Sequence, residues 1–154
     1  MKNIFFMLIT SICLFGAQTT QISISADSFE ADENKHQTLF NKNVLITKNL
    51  DKIKASKAIV NFNQENKPIK YTASGKVEFS IILKDSTLYG GCDELVFVPK
   101  SKVYILNGHV NINELPTKRK IQATKVIIDT KSNKINITGE KNKPVKFIFE
   151  VEEK

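Results

Sequence analysis

The residues of this sequence that can do chemistry are few, and they form no catalytic pattern. His36 and His109 are the only histidines, the residue type that most often acts as a base near neutral pH. Neither belongs to a recognised metal-ligand motif, and we expect both in surface turns. Cys92, Asp93 and Glu94 are adjacent and would suit a metal or a reactive thiol. No nucleophile motif or phosphate loop occurs, so we predict no enzyme, no cofactor and no metal site.

The Cys92-Asp93-Glu94 cluster is better explained by a repeat. The segment 53–60, IKASKAIV, has counterparts at 24–29, 89–96 and 121–128. Each copy has a small residue, then polar residues, then an apolar run, and the cluster lies at the polar positions of its copy. Repeat position therefore accounts for these side chains without chemistry.

A second phrase recurs between these copies, in which a strand ends in a turn and restarts at a valine. Val44, Val77 and Val110 are 33 residues apart each time, and a fixed period of this size is typical of stacked supersecondary units. We predict turns before each valine, at 41–43, at Gly75 and at the Asn-Gly pair 107–108. Asn-Gly is the strongest short-range signal for a hairpin.

The rest of the chain predicts strands recurring about every ten residues, separated by short polar turns. Residues 21–25 and 145–151 alternate between apolar and polar side chains, and no segment has a helical period. We therefore predict an all-β fold of stacked antiparallel hairpins, as in a sandwich or barrel. The first and last strands have no capping element, so their unpaired backbone groups are available to another chain.

The N-terminus indicates export. Residues 1–17 contain Lys2 followed by a short apolar run at 4–16, and we predict a signal peptide there and one domain at 18–154. This run is shorter than the roughly 20 apolar residues that a membrane-spanning helix needs, which favours a cleaved signal peptide. The alternative is a signal anchor that is retained in the membrane. Once Cys13 is removed with the signal, Cys92 has no partner for an intramolecular disulfide.

The chain has a net charge of +7, which falls by one when Lys2 is removed with the signal peptide. This charge suits an anionic partner or simply a soluble surface. An exported protein does not normally meet nucleic acid, so we predict no nucleic-acid partner. Ten phenylalanines and no tryptophan supply the aromatic residues, and strand phenylalanines fit either a packed core or a lipid cavity.

The repeated units Ile24-x-Ala26-Asp27, 53–57 and 121–125, with the Gly-x-Val phrases at Gly75 and Gly108, resemble the OstA-like repeats of the LptA family of periplasmic lipopolysaccharide (LPS) transport proteins. The resemblance covers residues 22–151. Pro99 departs from it, because the family has a lipid-facing apolar residue there.

The resemblance implies a slightly twisted β-jellyroll, V-shaped in section and open at both ends, whose apolar groove carries the acyl chains of LPS in the periplasm. It implies head-to-tail assembly of copies into a bridge between an LptC-like inner-membrane protein and an LptD-like outer-membrane translocon. Two alternatives remain open, which are an LptC-like membrane-anchored component of the same bridge and a structural or assembly β module that binds no lipid.

By the resemblance we expect groove positions distributed along the chain. Basic residues at the edge of the groove (Lys76, Lys118, Arg119 and Lys120) either meet lipid phosphates or are solvated. The predicted groove residues are Ile22, Ile24, Phe29, Val44, Ile46, Ile59, Val77, Phe79, Leu95, Phe97, Val110, Ile112, Ile127, Phe147 and Phe149.

Overall fold

The computed structural model describes residues 19–153, and their secondary structure consists of ten β-strands. In chain order these are β1 (Ile22–Ser25), β2 (Ser28–Asp32), β3 (Gln37–Lys48), β4 (Asp51–Phe62), β5 (Pro68–Ile82), β6 (Thr87–Val98), β7 (Val103–Leu115), β8 (Arg119–Asp129), β9 (Lys134–Thr138) and β10 (Lys146–Ile148). The prediction of an all-β fold is confirmed. Over the described range, the structure contains no helix with the length and apolarity that crossing a bilayer requires.

The strands form one antiparallel sheet in the order β1-β3-β4-β5-β6-β7-β8-β10. β2 also pairs with β3, and β9 also pairs with β8. Each edge of the sheet is thus a strand split into two pieces, β1 with β2 at one edge and β9 with β10 at the other. The sheet does not close on itself.

The long strands bend in the middle. In β3, β5 and β7 two successive residues have positive φ, at 42–43, 75–76 and 108–109, and the pairing register shifts beside each pair. Such irregularities bend a strand without ending it. The bends account for the 33-residue period of the valines that follow them.

The predicted turns at these places are wrong for β3, β5 and β7, because each strand continues through its bend, and the Asn-Gly pair 107–108 is not a hairpin. β7 pairs with β6 on both sides of its bend, since Glu94 pairs with Asn107 and Gly91 pairs with Asn111. Two left-handed residues embedded in a continuous ladder redirect the strand but do not reverse it. The real reversals lie at residues 33–36, 49–50, 63–67, 83–86, 99–102, 116–118 and 130–133.

The bends fold the sheet into two layers. The first layer contains residues 28–41, 57–74, 94–107 and 125–138, and the second contains residues 22–25, 44–55, 77–92, 110–123 and 146–148. Their inner faces share one core, in which Tyr104, Ile81, Leu88, Leu95 and Leu106 are among the largest fully buried side chains. Each such aliphatic side chain contributes roughly 1.5–3 kcal/mol by leaving water.

The two layers are staggered along the sheet. Lys48 and Asp51, from β3 and β4 of the second layer, contact Phe97 and Tyr104, from β6 and β7 of the first layer. At these hairpin ends the layers are therefore displaced by about three strands, whereas at the bends each strand runs directly from one layer into the other. This displacement leaves β2 of the first layer uncovered at one end and β10 of the second layer uncovered at the other.

Candidate functional site

The candidate site is the apolar space between the layers, and the structure places most of the predicted groove residues there. Val44, Ile46, Val77, Phe79, Leu95, Phe97, Val110 and Ile112 are buried in the shared core. Ile22 and Ile24 are half-buried and pack against this core from the N-terminal edge. These ten residues lie on one continuous inner surface.

Three predicted residues lie on the inner face but beyond the cover of the other layer. Phe29 pairs with Phe40 in β3, and their ring centroids are 6.1 Å apart, yet Phe29 is 72% exposed. Phe147 pairs with the buried Ile121, and it stacks on Phe149, which is 59% exposed. The inner apolar surface therefore reaches solvent at both terminal strands.

Ile59 and Ile127 lie on the outer face, contrary to the expectation that they line the groove. Their neighbours Ala58, Val60 and Val126 are buried, and side chains alternate along a strand. The physical reason is a bulge between residues 54 and 57 of β4, which exchanges the inward and outward positions. β8 changes phase in the same way between its two halves.

The centre of the interior is filled by its own side chains, which corrects the expectation of a groove that is open throughout. A cavity of only about 10 Å³ remains there, roughly the smallest space that holds one water molecule. Phe97 stacks on Tyr104 with ring centroids 4.6 Å apart and also contacts Tyr71 at 6.2 Å. The ten cavity-lining residues are Ile22, Ile46, Lys48, Asp51, Ile53, Tyr71, Ala73, Leu95, Phe97 and Tyr104.

A polar cluster joins the layers beside this cavity. The buried Asp51 accepts a hydrogen bond of 2.7 Å from the Tyr104 hydroxyl and one of 2.8 Å from the backbone N–H of Ile82. Lys48 Nζ lies 3.7 Å from Asp51 Oδ2 and 5.2 Å from the centroid of the Phe97 ring. Burial, and secondly the bond to Asp51, raises the pKa of Tyr104. We call Lys48, Asp51 and Tyr104 the latch.

The latch was missed by sequence reasoning, because Asp51 and Tyr104 are 53 residues apart and belong to different layers. The only sequence signal is a charged pair, Lys48 and Asp51, flanking a short turn, which is common on protein surfaces. Since Asp51 and Tyr104 come just after the reversals at 49–50 and 99–102, the latch lies where the hairpin ends of the two layers meet. We call this line the mouth.

A second buried carboxylate lies further along the second layer. Glu114 accepts two hydrogen bonds from the Arg119 guanidinium, from Nε at 2.6 Å and from Nη2 at 2.7 Å. The bond to Glu114 is the main reason that the pKa of Arg119 is raised. Arg119, a predicted phosphate contact, is thus already paired, whereas Lys76, Lys118 and Lys120 are exposed.

The residues first considered for chemistry act as structural parts. His109 Nδ1 lies 2.8 Å from Asp93 Oδ2, a pair that spacing did not predict, and an Asn43–Asp27 hydrogen bond of 3.0 Å occupies the equivalent bend in β3. The buried Cys92 thiol donates to the Glu94 carbonyl at 3.3 Å. Burial, and then the charge of Asp93, raises the pKa of Cys92 to about 12, so the thiol stays protonated. Residues 19–153 contain no cluster of three or more metal-ligating side chains.

A cleft of about 700 Å³ opens at the C-terminal edge. β9 pairs with β8 as far as Lys125, and β10 resumes the pairing at Gln122, so Ala123 and Thr124 lie between the two partners. Residues 139–145 loop out over this gap. The cleft is lined by Gly108, His109, Val110, Asn111, Gln122, Ala123, Thr124, Glu140, Lys143, Pro144, Val145 and Lys146.

Comparisons with known proteins agree with this architecture. The family described as LptA/(LptD N-terminal domain) LPS transport protein matches residues 23–134. The crystal structure of LptH, the LptA homologous periplasmic component of the conserved lipopolysaccharide transport device from Pseudomonas aeruginosa, superposes with a TM-score of 0.74. The two chains are 11% identical, and the match covers 85% of this chain and 96% of LptH, so the predicted β-jellyroll is confirmed as the fold. No curated protein sequence matches the chain. The match over residues 23–134 establishes that this chain belongs to the LptA/(LptD N-terminal domain) family of LPS transport proteins.

Proposed function

We propose that this protein binds LPS by its acyl chains between the two layers and passes it from the inner to the outer membrane. The observation that carries this proposal is the inner apolar surface, which is continuous across the sheet and is exposed at both terminal strands. An acyl chain gains roughly 0.8 kcal/mol for each methylene that leaves water. A surface that is accessible at both ends allows such a chain to enter at one end and leave at the other.

Acyl chains enter the central part by separating the layers at the mouth. The cavity of about 10 Å³ is far too small for a lipid tail, so the tail replaces contacts that the layers now make with each other. The latch opens in this step, since Tyr104 and Asp51 belong to different layers. The sheet is free to widen because it does not close on itself.

The bridge is built through the terminal strands. β1 and β2 leave one edge of β-sheet backbone open, and β9 and β10 leave the other, so a second copy extends the sheet by strand addition. The same edges serve an LptC-like inner-membrane protein and an LptD-like outer-membrane translocon. Cleavage of the signal peptide at 1–17 releases the domain into the periplasm; this segment is outside the described residues.

Photo-crosslinking in living cells tests lipid binding. A photoreactive residue at Phe97 or Ile24 faces the interior, and one at the adjacent Val96 or Ser25 faces outward. We expect LPS adducts from the two inward positions alone. Equal adducts from both faces, or none from Phe97 and Ile24 in protein that is folded and exported, would contradict the proposal.

The filled centre favours a second candidate, an assembly module that binds no lipid. In that case Phe97, Tyr71 and Tyr104 act only as core. The two candidates differ in the effect of LPS on the latch. Bound acyl chains separate the layers, so LPS should speed amide hydrogen exchange at the mouth if the protein is a carrier and leave it unchanged if it is an assembly module.

A further inference from the structure

The hairpin ends of the second layer carry three exposed aliphatic side chains. Leu50, Ile82 and Leu115 are 73%, 40% and 43% exposed, and they follow one another at nearly the repeat period of the chain. We call them the apolar rim. Exposed aliphatic residues scattered singly need no explanation, but contiguous ones mark contact surfaces.

The three residues of the apolar rim are neighbours in space. The register that pairs Lys52 with Ser80 brings Leu50 alongside Ile82, and Thr87 links Ile82 with Leu115 across β6. With strands about 4.8 Å apart, the rim is ~14 Å long. It lies on the outside of the mouth, so it is separate from the inner apolar surface.

The charges around the rim indicate its partner. Residues 48–52, 82–87 and 114–120 carry six cations and three carboxylates. Asp51 and Glu114 are buried and paired with Lys48 and Arg119. This leaves the exposed Asp85 and four exposed lysines, of which Lys118 lies 3.9 Å from Glu150; the four are Lys52, Lys84, Lys118 and Lys120. Exposed lysines beside aliphatic residues are the arrangement by which a protein edge contacts an anionic lipid surface, with the lysines at the headgroups.

We propose that the apolar rim is a membrane-contact edge that docks on bilayers containing anionic lipids. The opposite, first-layer hairpin ends provide a control, because their turns are polar and their one exposed large aliphatic residue is Ile69. This inference stands apart from acyl-chain binding, since the rim residues do not line the interior.

Vesicle flotation tests the rim with the protein as purified from the periplasm, its N-terminus defined by mass. The vesicles contain phosphatidylglycerol and phosphatidylcholine in equal parts, or phosphatidylcholine alone. We expect binding to the mixed vesicles that weakens as salt is added. The triple variant Leu50→Ser, Ile82→Thr, Leu115→Thr should lose about tenfold or more of this binding, and Ile69→Thr should lose none.

Three results would overturn the proposal. Wild-type protein that floats with neither vesicle, an unchanged triple variant, or an equal loss in Ile69→Thr would each do so. Sedimentation without vesicles tests whether a second copy of the chain binds the rim instead of a bilayer. If the protein does not bind vesicles and the rim substitutions dissociate its oligomers, the rim is an interface between copies. LPS crosslinking at Phe97 should persist in the triple variant, so failure of the rim proposal is distinct from failure of lipid carriage.

Discussion

The covered centre and the two uncovered ends of this molecule are made of the same kind of strand. Phe97 in the centre and Phe29 at the N-terminal end both lie on the inner face, and each lies next to another aromatic ring, Tyr104 at 4.6 Å and Phe40 at 6.1 Å between centroids. Phe97 is 4% exposed and Phe29 is 72% exposed, because only Phe97 has the opposite layer above it. Burial in this fold is therefore decided by the stagger of the layers more than by the pattern within a strand.

The two ends also differ from each other. At the N-terminal edge the chain crosses the bend in two residues, and Asp27 N–H donates to the Lys42 carbonyl at 2.9 Å. At the C-terminal edge residues 139–145 loop away and leave the cleft beside Ala123 and Thr124. The N-terminal edge thus offers a nearly continuous split strand to a partner, and the C-terminal edge offers a gapped one.

The largest expected effect is the loss of stability when an aromatic ring is removed from the centre, compared with the same substitution at an end. Phe97→Ala removes a buried ring and should lower the free energy of unfolding by about 3–5 kcal/mol. Phe29→Ala should change it by less than about 0.5 kcal/mol, because that ring is already in water. Urea unfolding followed by circular dichroism measures both, and similar losses in the two variants would refute the staggered arrangement.

The latch should give the next largest effect. Asp51→Ala leaves the buried Tyr104 hydroxyl without its acceptor, which costs about 1–3 kcal/mol. Tyr104→Phe in the same background removes the orphaned hydroxyl and should restore part of this loss. A double-mutant cycle by urea unfolding measures the coupling, and additive losses would mean that the two layers are not joined at this point.

Alkaline pH should weaken the centre because of Cys92. Burial raises the pKa of this thiol to about 12 from 9.0, so above pH 9 the unfolded chain releases a proton that the folded protein keeps. The resulting contribution to stability is complete below pH 9 and is lost as the pH rises towards 12, at up to about 1.4 kcal/mol per pH unit. Cys92→Ala should show a shallower fall in urea midpoint between pH 8 and pH 10 than the wild type, and identical slopes would contradict the assignment.

Much of the fold could be predicted from the sequence, because the repeat and the alternation of apolar residues are local properties. The valines at 33-residue intervals located the bends but not their nature, since a bend and a reversal use the same left-handed residues. The orientation of Ile59 and Ile127 could not be predicted, because each lies in an unbroken apolar run, at 58–60 and 126–128. The irregularity in the middle of each strand decides which of these side chains point inward. Features set by the opposite layer, such as the latch and the exposure of Phe29, depend on contacts between residues more than fifty positions apart.

The smallest expected effect concerns the ends themselves. Phe29→Ser removes an exposed ring from β2, and Phe149→Ser removes one from the residue that follows β10. Each should weaken end-to-end association of the chain severalfold while monomer stability is nearly unchanged. Light scattering over a concentration series measures the association, with Tyr89→Ser as the matched control, because Tyr89 is an exposed aromatic residue on the outer face of β6.

The N-terminal edge of the sheet is more continuous than the C-terminal edge, so we expect it to contribute more to association. A proline at Ser23 should therefore weaken association more than a proline at Lys146. Equal effects of the two prolines would mean that the gap beside Thr124 does not distinguish the two edges in assembly.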